Sequence, residues 1–151
     1  MKSTEARVFL SFDLAHDRDL QTRLRAESKA GSLFSITACS EDPGADPESD
    51  EKVRERIAAA DAVIVICGEH TDACAGVSAE LRMAREQQKP HVLLWGRREI
   101  MCKKPASARL DDSMYGWTPD ILRAQLQVVM RAKREAPEHL RRKPIPPKPA
   151  A

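Results

Sequence analysis

The run Asp61-Ala62-Val63-Ile64-Val65-Ile66-Cys67-Gly68 decides the fold class of this 151-residue chain. Its residues 62–67 are apolar without interruption. A short, continuous apolar run of this kind is typical of a parallel strand that is covered on both faces. The sequence therefore predicts an α/β protein built around this strand.

The segments on either side of this run alternate between strand and helix patterns. Further strands are predicted at 7–12, at 33–36, at 91–95 and near 114–117, and helices at 16–30, from Ser49, at 76–88 and from Pro119. Strands that alternate with helices form right-handed parallel crossovers. We therefore expect an α/β fold with a doubly wound parallel sheet of about five strands and helices on both faces.

The composition indicates one domain followed by a basic tail. Residues 131–151 carry seven Lys or Arg and two Glu, whereas the remaining 130 residues carry 18 basic and 21 acidic side chains. Five of the last fifteen residues are proline, so we expect a domain over 1–134 and an extended or disordered tail over 135–151. Three Phe, two Trp and one Tyr are too few for a base-stacking platform, so nucleic acid is not an expected partner.

The apolar segments and the cysteines indicate where the protein resides. No segment approaches the roughly 18–20 apolar residues needed to cross a membrane, and the N-terminus has no signal-peptide core. The four cysteines show no C-x-x-C spacing, which favours free thiols in a reducing compartment. We expect a cytoplasmic protein that does not contact a membrane.

Glu80 is the candidate for chemistry that residue spacing identifies. In the predicted helix at 76–88, Val77, Leu81 and Ala84 share one apolar face, and Glu80 lies on the shoulder of that face, short of full burial. A carboxylate near the carboxyl end of a buried strand lies where open α/β sheets keep their chemistry. This placement makes Glu80 a candidate catalytic group. The alternative is an acid that only benefits from the helix dipole.

Several other chemistries are excluded by missing residues. The chain has neither of the glycine-rich motifs that bind dinucleotides or triphosphates, and the stretch 76–80 lacks the last glycine of a nucleophile elbow. His70 and Cys74 lack the paired spacing of zinc ligands. Cys67 stands where a phosphoacceptor domain would need an aspartate. No cofactor and no metal are expected.

Motifs along the chain, taken in order, resemble a known family. Phe9-Leu10-Ser11-Phe12-Asp13 with Asp17-Arg18-Asp19-Leu20 resembles the opening of Toll/interleukin-1 receptor (TIR) domains, and more narrowly the TIR-like family that includes the Thoeris anti-phage sensors. The other similar stretches are 61–68 with His70-Thr71, Gly76-Val77 with Glu80, 102–107 and 112–118. The match covers about residues 7–130 and implies a flavodoxin-like parallel sheet.

The resemblance also implies a function and a set of site residues. Active relatives cleave the nicotinamide–ribose bond of NAD, their substrate, and produce an ADP-ribose-derived signal nucleotide, cyclic in some cases, that acts on a downstream effector. By position, Glu80 matches the catalytic glutamate. The residues that match the walls of the nucleotide cleft are Ser11, Phe12, Asp13, His70 and Thr71.

The resemblance implies self-association as well, through the acidic loop at 39–49. Arg97 and Arg98 are expected to offset the acidity of that loop next to a pyrophosphate. Two alternatives remain open at this point. One is a non-catalytic TIR-like module that self-associates or scaffolds partners, and the other is a receptor that binds a nucleotide without cutting it.

Overall fold

The computed structural model describes residues 6–31, 34–40 and 49–135. The strands are β1 (Ala6–Ser11), β2 (Phe34–Cys39), β3 (Ala62–Cys67), β4 (His91–Trp95) and β5 (Met114–Gly116). The helices are α1 (Arg18–Gly31), α2 (Ser49–Ala59), α3 (Ala75–Glu86) and α4 (Pro119–Glu135), with a short 3-10 turn at Thr71–Ala73. Residues 41–48 of the acidic loop and residues 136–151 of the predicted tail lie outside the described ranges.

The five strands form one parallel sheet in the order β2-β1-β3-β4-β5. Val8 of β1 pairs with Ala62 of β3, and Val63 pairs with His91 of β4, so β3 lies at the centre. All six residues of β3 are buried, as the unbroken apolar run predicts. The doubly wound parallel α/β sheet predicted from the sequence is therefore confirmed.

The sheet divides the core into two apolar layers. Ile64 and Ile66 of β3 pack in the layer with α1 and α4, whereas Val63 and Val65 pack in the layer with α2 and α3. Successive side chains of a strand point to opposite faces, which explains this division. Each such side chain contributes roughly 1.5–3 kcal/mol when it is fully buried.

Two element boundaries differ from the sequence prediction in ways that bear on the site. Helix α3 begins at Ala75, so Glu80 belongs to its second turn. Strand β2 extends to Cys39, which pairs with Leu10, because the parallel register with β1 continues past a shift between Val8 and Phe9. Within the described ranges, no helix combines the length and apolarity required to cross a membrane.

The strand order predicts a crevice at the carboxyl ends of the parallel strands. The connection that follows β1 leads to β2 on one side, whereas β3 lies on the other side of β1. Ligands of open α/β sheets bind at such a reversal, outside the carboxyl ends of the strands. The carboxyl ends of β1, β2 and β3 and the segments that follow them are therefore where a site is expected.

Candidate functional site

Glu80 lies at the centre of a hydrogen-bonded cluster. Its Oε1 accepts a hydrogen bond from Ser11 Oγ at 2.6 Å and another from Ser40 Oγ at 2.5 Å. Ser11 is the last residue of β1, and Ser40 directly follows β2. The tertiary fold thus brings together three side chains from segments that are distant in sequence.

The direction of Ser11 follows from strand geometry. Phe9, two residues earlier in β1, packs in the apolar layer with α2 and α3. Ser11 points to the same face because side chains two apart in a strand share a face. It is fully buried, and the carboxylate of Glu80 on α3 supplies the partner that a buried hydroxyl needs.

The side chain of Glu80 is more deeply buried than its helix position predicts. Only 6% of the residue is exposed. Burial raises the pKa of Glu80 from 4.5 to about 7, and the hydrogen bonds from Ser11 and Ser40 oppose this rise. The predicted shoulder position short of full burial is thus corrected, because the side chain is buried in the second turn of α3 and desolvation has the largest effect on its pKa.

A cleft of about 400 Å³ opens over this carboxyl group. Its walls are formed by Phe12, Asp13, Leu14, Ala15, Arg18, Ser40, Cys74, Gly76, Val77 and Glu80. Glu80 Oε2 has no hydrogen-bond partner among the residues that the structure describes. Oε2 is therefore the oxygen of Glu80 that is left for a ligand.

Asp13 lines the same cleft and is held by its own neighbours. It is only 4% exposed; its Oδ1 accepts the N–H of Ala15 at 3.0 Å, and its Oδ2 lies 2.8 Å from His16 Nδ1. The ring of His16 packs against that of His70, with the ring centroids 4.2 Å apart. Asp13 thus joins the cleft wall to a pair of half-exposed histidines.

His70 and Thr71 stand apart from the cleft walls described above. Thr71 is fully buried, and its hydroxyl accepts the backbone N–H of Gly68 at 2.7 Å. Among the described residues, His16 is the one that connects the ring of His70 to the site. Ser11, Phe12 and Asp13 are gathered around Glu80 or its cleft, whereas a cleft-wall role for His70 and Thr71 stays a prediction.

Arg97 does not supply the free positive charge expected of it. Its guanidinium binds Asp17 Oδ1 at 3.0 Å and Asp19 Oδ1 at 2.9 Å. Arg18 lines the cleft instead, and its guanidinium makes no hydrogen bond or ion pair with the described residues. Because two carboxylates already occupy Arg97, Arg18 is the cation available to an anion in the cleft.

Sequence reasoning did not select Arg18 or Ser40 as site residues. Arg18 belongs to a motif that resembles the family, and it opens a helix at the carboxyl edge of the sheet. Ser40 is the first residue after a strand at that edge. A position near the carboxyl ends of the strands is the sequence signal that could have identified both residues. The direction of each side chain, however, depends on the tertiary structure.

Among the residues that the structure describes, the site shows no arrangement suited to a metal. Within 6–31, 34–40 and 49–135, no group of three or more His, Cys, Asp or Glu side chains has a metal-binding geometry. All four cysteines are free. Cys74 lines the cleft, and burial raises the pKa of its thiol. The described residues of this cleft therefore present the carboxyl groups of Asp13 and Glu80, the hydroxyl of Ser40, the thiol of Cys74 and the guanidinium of Arg18.

Comparison with known proteins supports the fold. No protein-family model matches the chain, and no curated protein matches it. Among solved structures, it is similar to the crystal structure of a prokaryotic SEFIR domain, with 18% sequence identity and a TM-score of 0.51 over 88% of this chain and 95% of that chain. The likeness supports a TIR-like fold and does not extend to the Thoeris proteins in particular. The chain thus has a TIR-like, flavodoxin-like α/β fold.

Proposed function

We propose that this chain is a TIR-type enzyme that cleaves the nicotinamide–ribose bond of NAD. The observation that carries the proposal is the arrangement of Glu80. Its carboxyl group is buried, Oε1 is held by the hydroxyls of Ser11 and Ser40, and Oε2 is left for a ligand in the cleft. A fixed carboxylate of this kind stabilises positive charge that develops beside it.

The proposed reaction develops such a charge. The C1′–N bond breaks, its electron pair leaves with neutral nicotinamide, and the ribose becomes oxocarbenium-like, as in glycoside cleavage. Water, or a nucleophilic atom of the ADP-ribose itself, then attacks C1′ and releases a proton to a base. With a pKa of about 7, Glu80 is substantially ionised near neutral pH and can both stabilise the ribose and accept that proton.

The rest of the cleft fits part of a dinucleotide. Its volume of about 400 Å³ is within the usual range for small-molecule sites, about 300–1,000 Å³. In this proposal Arg18, which lines the cleft, pairs with the pyrophosphate. The product is an ADP-ribose-derived signal nucleotide of bacterial anti-phage defence, which is passed to a downstream effector. The segment 39–49, most of which lies outside the described ranges, mediates self-association.

The decisive experiment is nicotinamide release from NAD by the purified full chain. Glu80→Gln removes the charge and keeps the size, so we expect turnover at least about 100-fold lower than in the wild type. Glu86→Gln is the matched control, because Glu86 is an exposed acid on the same helix, and we expect it to leave turnover unchanged.

The assay is run at high protein concentration and also with an extract of phage-infected cells, since sensors of this type can require assembly or a trigger. Equal turnover by the wild type and Glu80→Gln would remove Glu80 from the mechanism. Stabilisation by NAD without nicotinamide release would indicate a receptor that binds NAD without cutting it.

A non-catalytic interaction module is the second candidate, and exposed apolar side chains favour it. Among the described residues, the large ones are Ile100, Met101, Leu110, Ile121 and Val128. Met101 is 69% exposed, in the segment between β4 and β5. Concentration-dependent self-association in sedimentation, with neither NAD binding nor nicotinamide release under any condition above, would favour this second function.

A further inference from the structure

Ser40 joins the end of β2 to the carboxyl group in the cleft. Its Oγ accepts the backbone N–H of Phe12 at 3.0 Å and donates to Glu80 Oε1 at 2.5 Å. A serine hydroxyl has a single hydrogen. Because Phe12 donates to the oxygen of Ser40, the hydroxyl hydrogen is directed to Glu80.

The two serines make the oxygens of Glu80 unequal. Oε1 receives the hydroxyls of both Ser11 and Ser40, whereas Oε2 has no partner among the described residues. An oxygen that already accepts two hydrogens is a poor position for a further proton. Any proton that Glu80 gains or loses is therefore exchanged at Oε2, on the side of the cleft.

We propose that Ser40 is a positioning residue that holds the carboxyl group of Glu80 in one orientation and directs Oε2 into the cleft. The backbone of Phe12 fixes the hydroxyl, so the end of β1 sets this orientation through Ser40. The other ionisable groups that line the cleft are Asp13, Arg18 and Cys74. None of the three donates a hydrogen bond to Glu80.

Any effect of Ser40 on turnover rests on the proposed NAD cleavage, whereas its effect on the carboxyl group of Glu80 does not. The first measurement is therefore the titration of the Glu80 side chain in the full chain by carbon-13 NMR, with Glu80→Gln to assign the signal. We expect a higher midpoint in Ser40→Ala than in the wild type, because a donated hydrogen bond stabilises the ionised form.

Two further variants separate this role from a general effect of mutating the strand. Ser40→Thr keeps the hydroxyl and is expected to restore the wild-type midpoint. Thr37→Ala is the matched control, because Thr37 belongs to β2, the strand that Ser40 directly follows, and its hydroxyl contacts the carbonyl of Val8 at 3.5 Å. It is expected to leave the Glu80 midpoint unchanged.

The second measurement is the pH profile of nicotinamide release. We expect the part of the profile in which the rate rises as Glu80 ionises to lie at higher pH in Ser40→Ala than in the wild type. We also expect the fold decrease in kcat to exceed any fold increase in KM. A Ser40→Ala midpoint equal to that of the wild type overturns the proposal, whether or not NAD is cleaved. A shifted midpoint without nicotinamide release in any variant supports Ser40 and contradicts the NAD function.

Ser40→Cys provides a second route if Ser40→Ala does not fold. A thiol has nearly the same shape and is a weaker donor, so a midpoint above that of the wild type is again expected. An unchanged midpoint in the folded Ser40→Cys protein overturns the proposal.

Discussion

At the scale of single residues, Glu80 illustrates the competition that a buried carboxyl group faces. Burial disfavours its charged form, while the hydroxyls of Ser11 and Ser40 favour it. Hydroxyl donors carry no charge, so they offset only part of the desolvation. The resulting pKa of about 7 leaves the group able to exchange a proton near neutral pH.

The raised pKa of Glu80 predicts how stability changes with pH. The folded state holds this proton more tightly than the unfolded state, whose pKa is near 4.5, so the contribution of Glu80 to stability is fully present below about 4.5 and is lost as pH rises through about 7. The loss amounts to about 3 kcal/mol between these limits. Urea unfolding at about pH 5 and about pH 8 measures this change.

Glu80→Gln is the comparison protein for this measurement. Since glutamine does not titrate, the difference in free energy of unfolding between wild type and Glu80→Gln isolates the contribution of Glu80. We expect the wild type to lose stability relative to Glu80→Gln as pH rises. Parallel pH profiles for the two proteins would show that Glu80 titrates in the native state as it does in the unfolded chain.

At the scale of secondary-structure elements, the helices follow signals that are local in sequence. Thr118-Pro119-Asp120 begins α4, and the hydroxyl of Thr118 accepts the N–H of Ile121 at 3.1 Å. This bond satisfies one of the free N–H groups in the first turn of the helix. The same signal is readable from the sequence because a cap involves only neighbouring residues.

We expect Thr118→Ala to lower the free energy of unfolding by about 1 kcal/mol, since the substitution removes this cap. Thr22→Ala is the matched control: Thr22 is exposed in α1, and its hydroxyl contacts only the carbonyl of Arg18 in the preceding turn. It is expected to change stability by less than about 0.5 kcal/mol. Urea unfolding compares the two variants, and similar losses would argue against a capping role.

At the scale of the whole molecule, Arg97 connects the start of α1 to the segment after β4. It pairs with the buried Asp17 and with the exposed Asp19. Burial raises the pKa of Asp17, and Arg97 opposes that rise. Asp17 also lies against Gly68, where any added Cβ would collide with its carboxylate. The segments that follow β3 and β4 thus meet the start of α1 at the buried carboxylate of Asp17.

We expect Arg97→Ala to destabilise the protein by about 3 kcal/mol, because it leaves the buried Asp17 without its cation. Adding Asp17→Asn should recover part of this loss, since the uncompensated charge is then absent. Arg98→Ala is the control, because Arg98 is exposed, and a change within about 0.5 kcal/mol is expected. Equal losses in the two arginine variants, measured by urea unfolding, would contradict this role for Arg97.

The site could be predicted from the sequence only in part, and Glu80 and Ser40 show why. Helical spacing placed Glu80 beside the apolar face of its helix. Its depth was not readable, because burial depends on how closely α3 packs against the sheet. No local sequence pattern identifies Ser40 as a site residue, since its hydrogen-bond partners Phe12 and Glu80 lie 28 and 40 residues away in the sequence. Contacts across such separations are set by strand order and register.

The sequence by itself determined the α/β class, the position of each strand and helix to within a few residues, and the segment that carries Glu80. These properties depend on local periodicity, caps and apolar runs, which neighbouring residues define. The tertiary structure alone decided which hydroxyls hold Glu80, which arginine lines the cleft, and the pKa of the carboxyl group. Those properties depend on desolvation and on distances between remote segments, and both arise only when the sheet and its helices pack together.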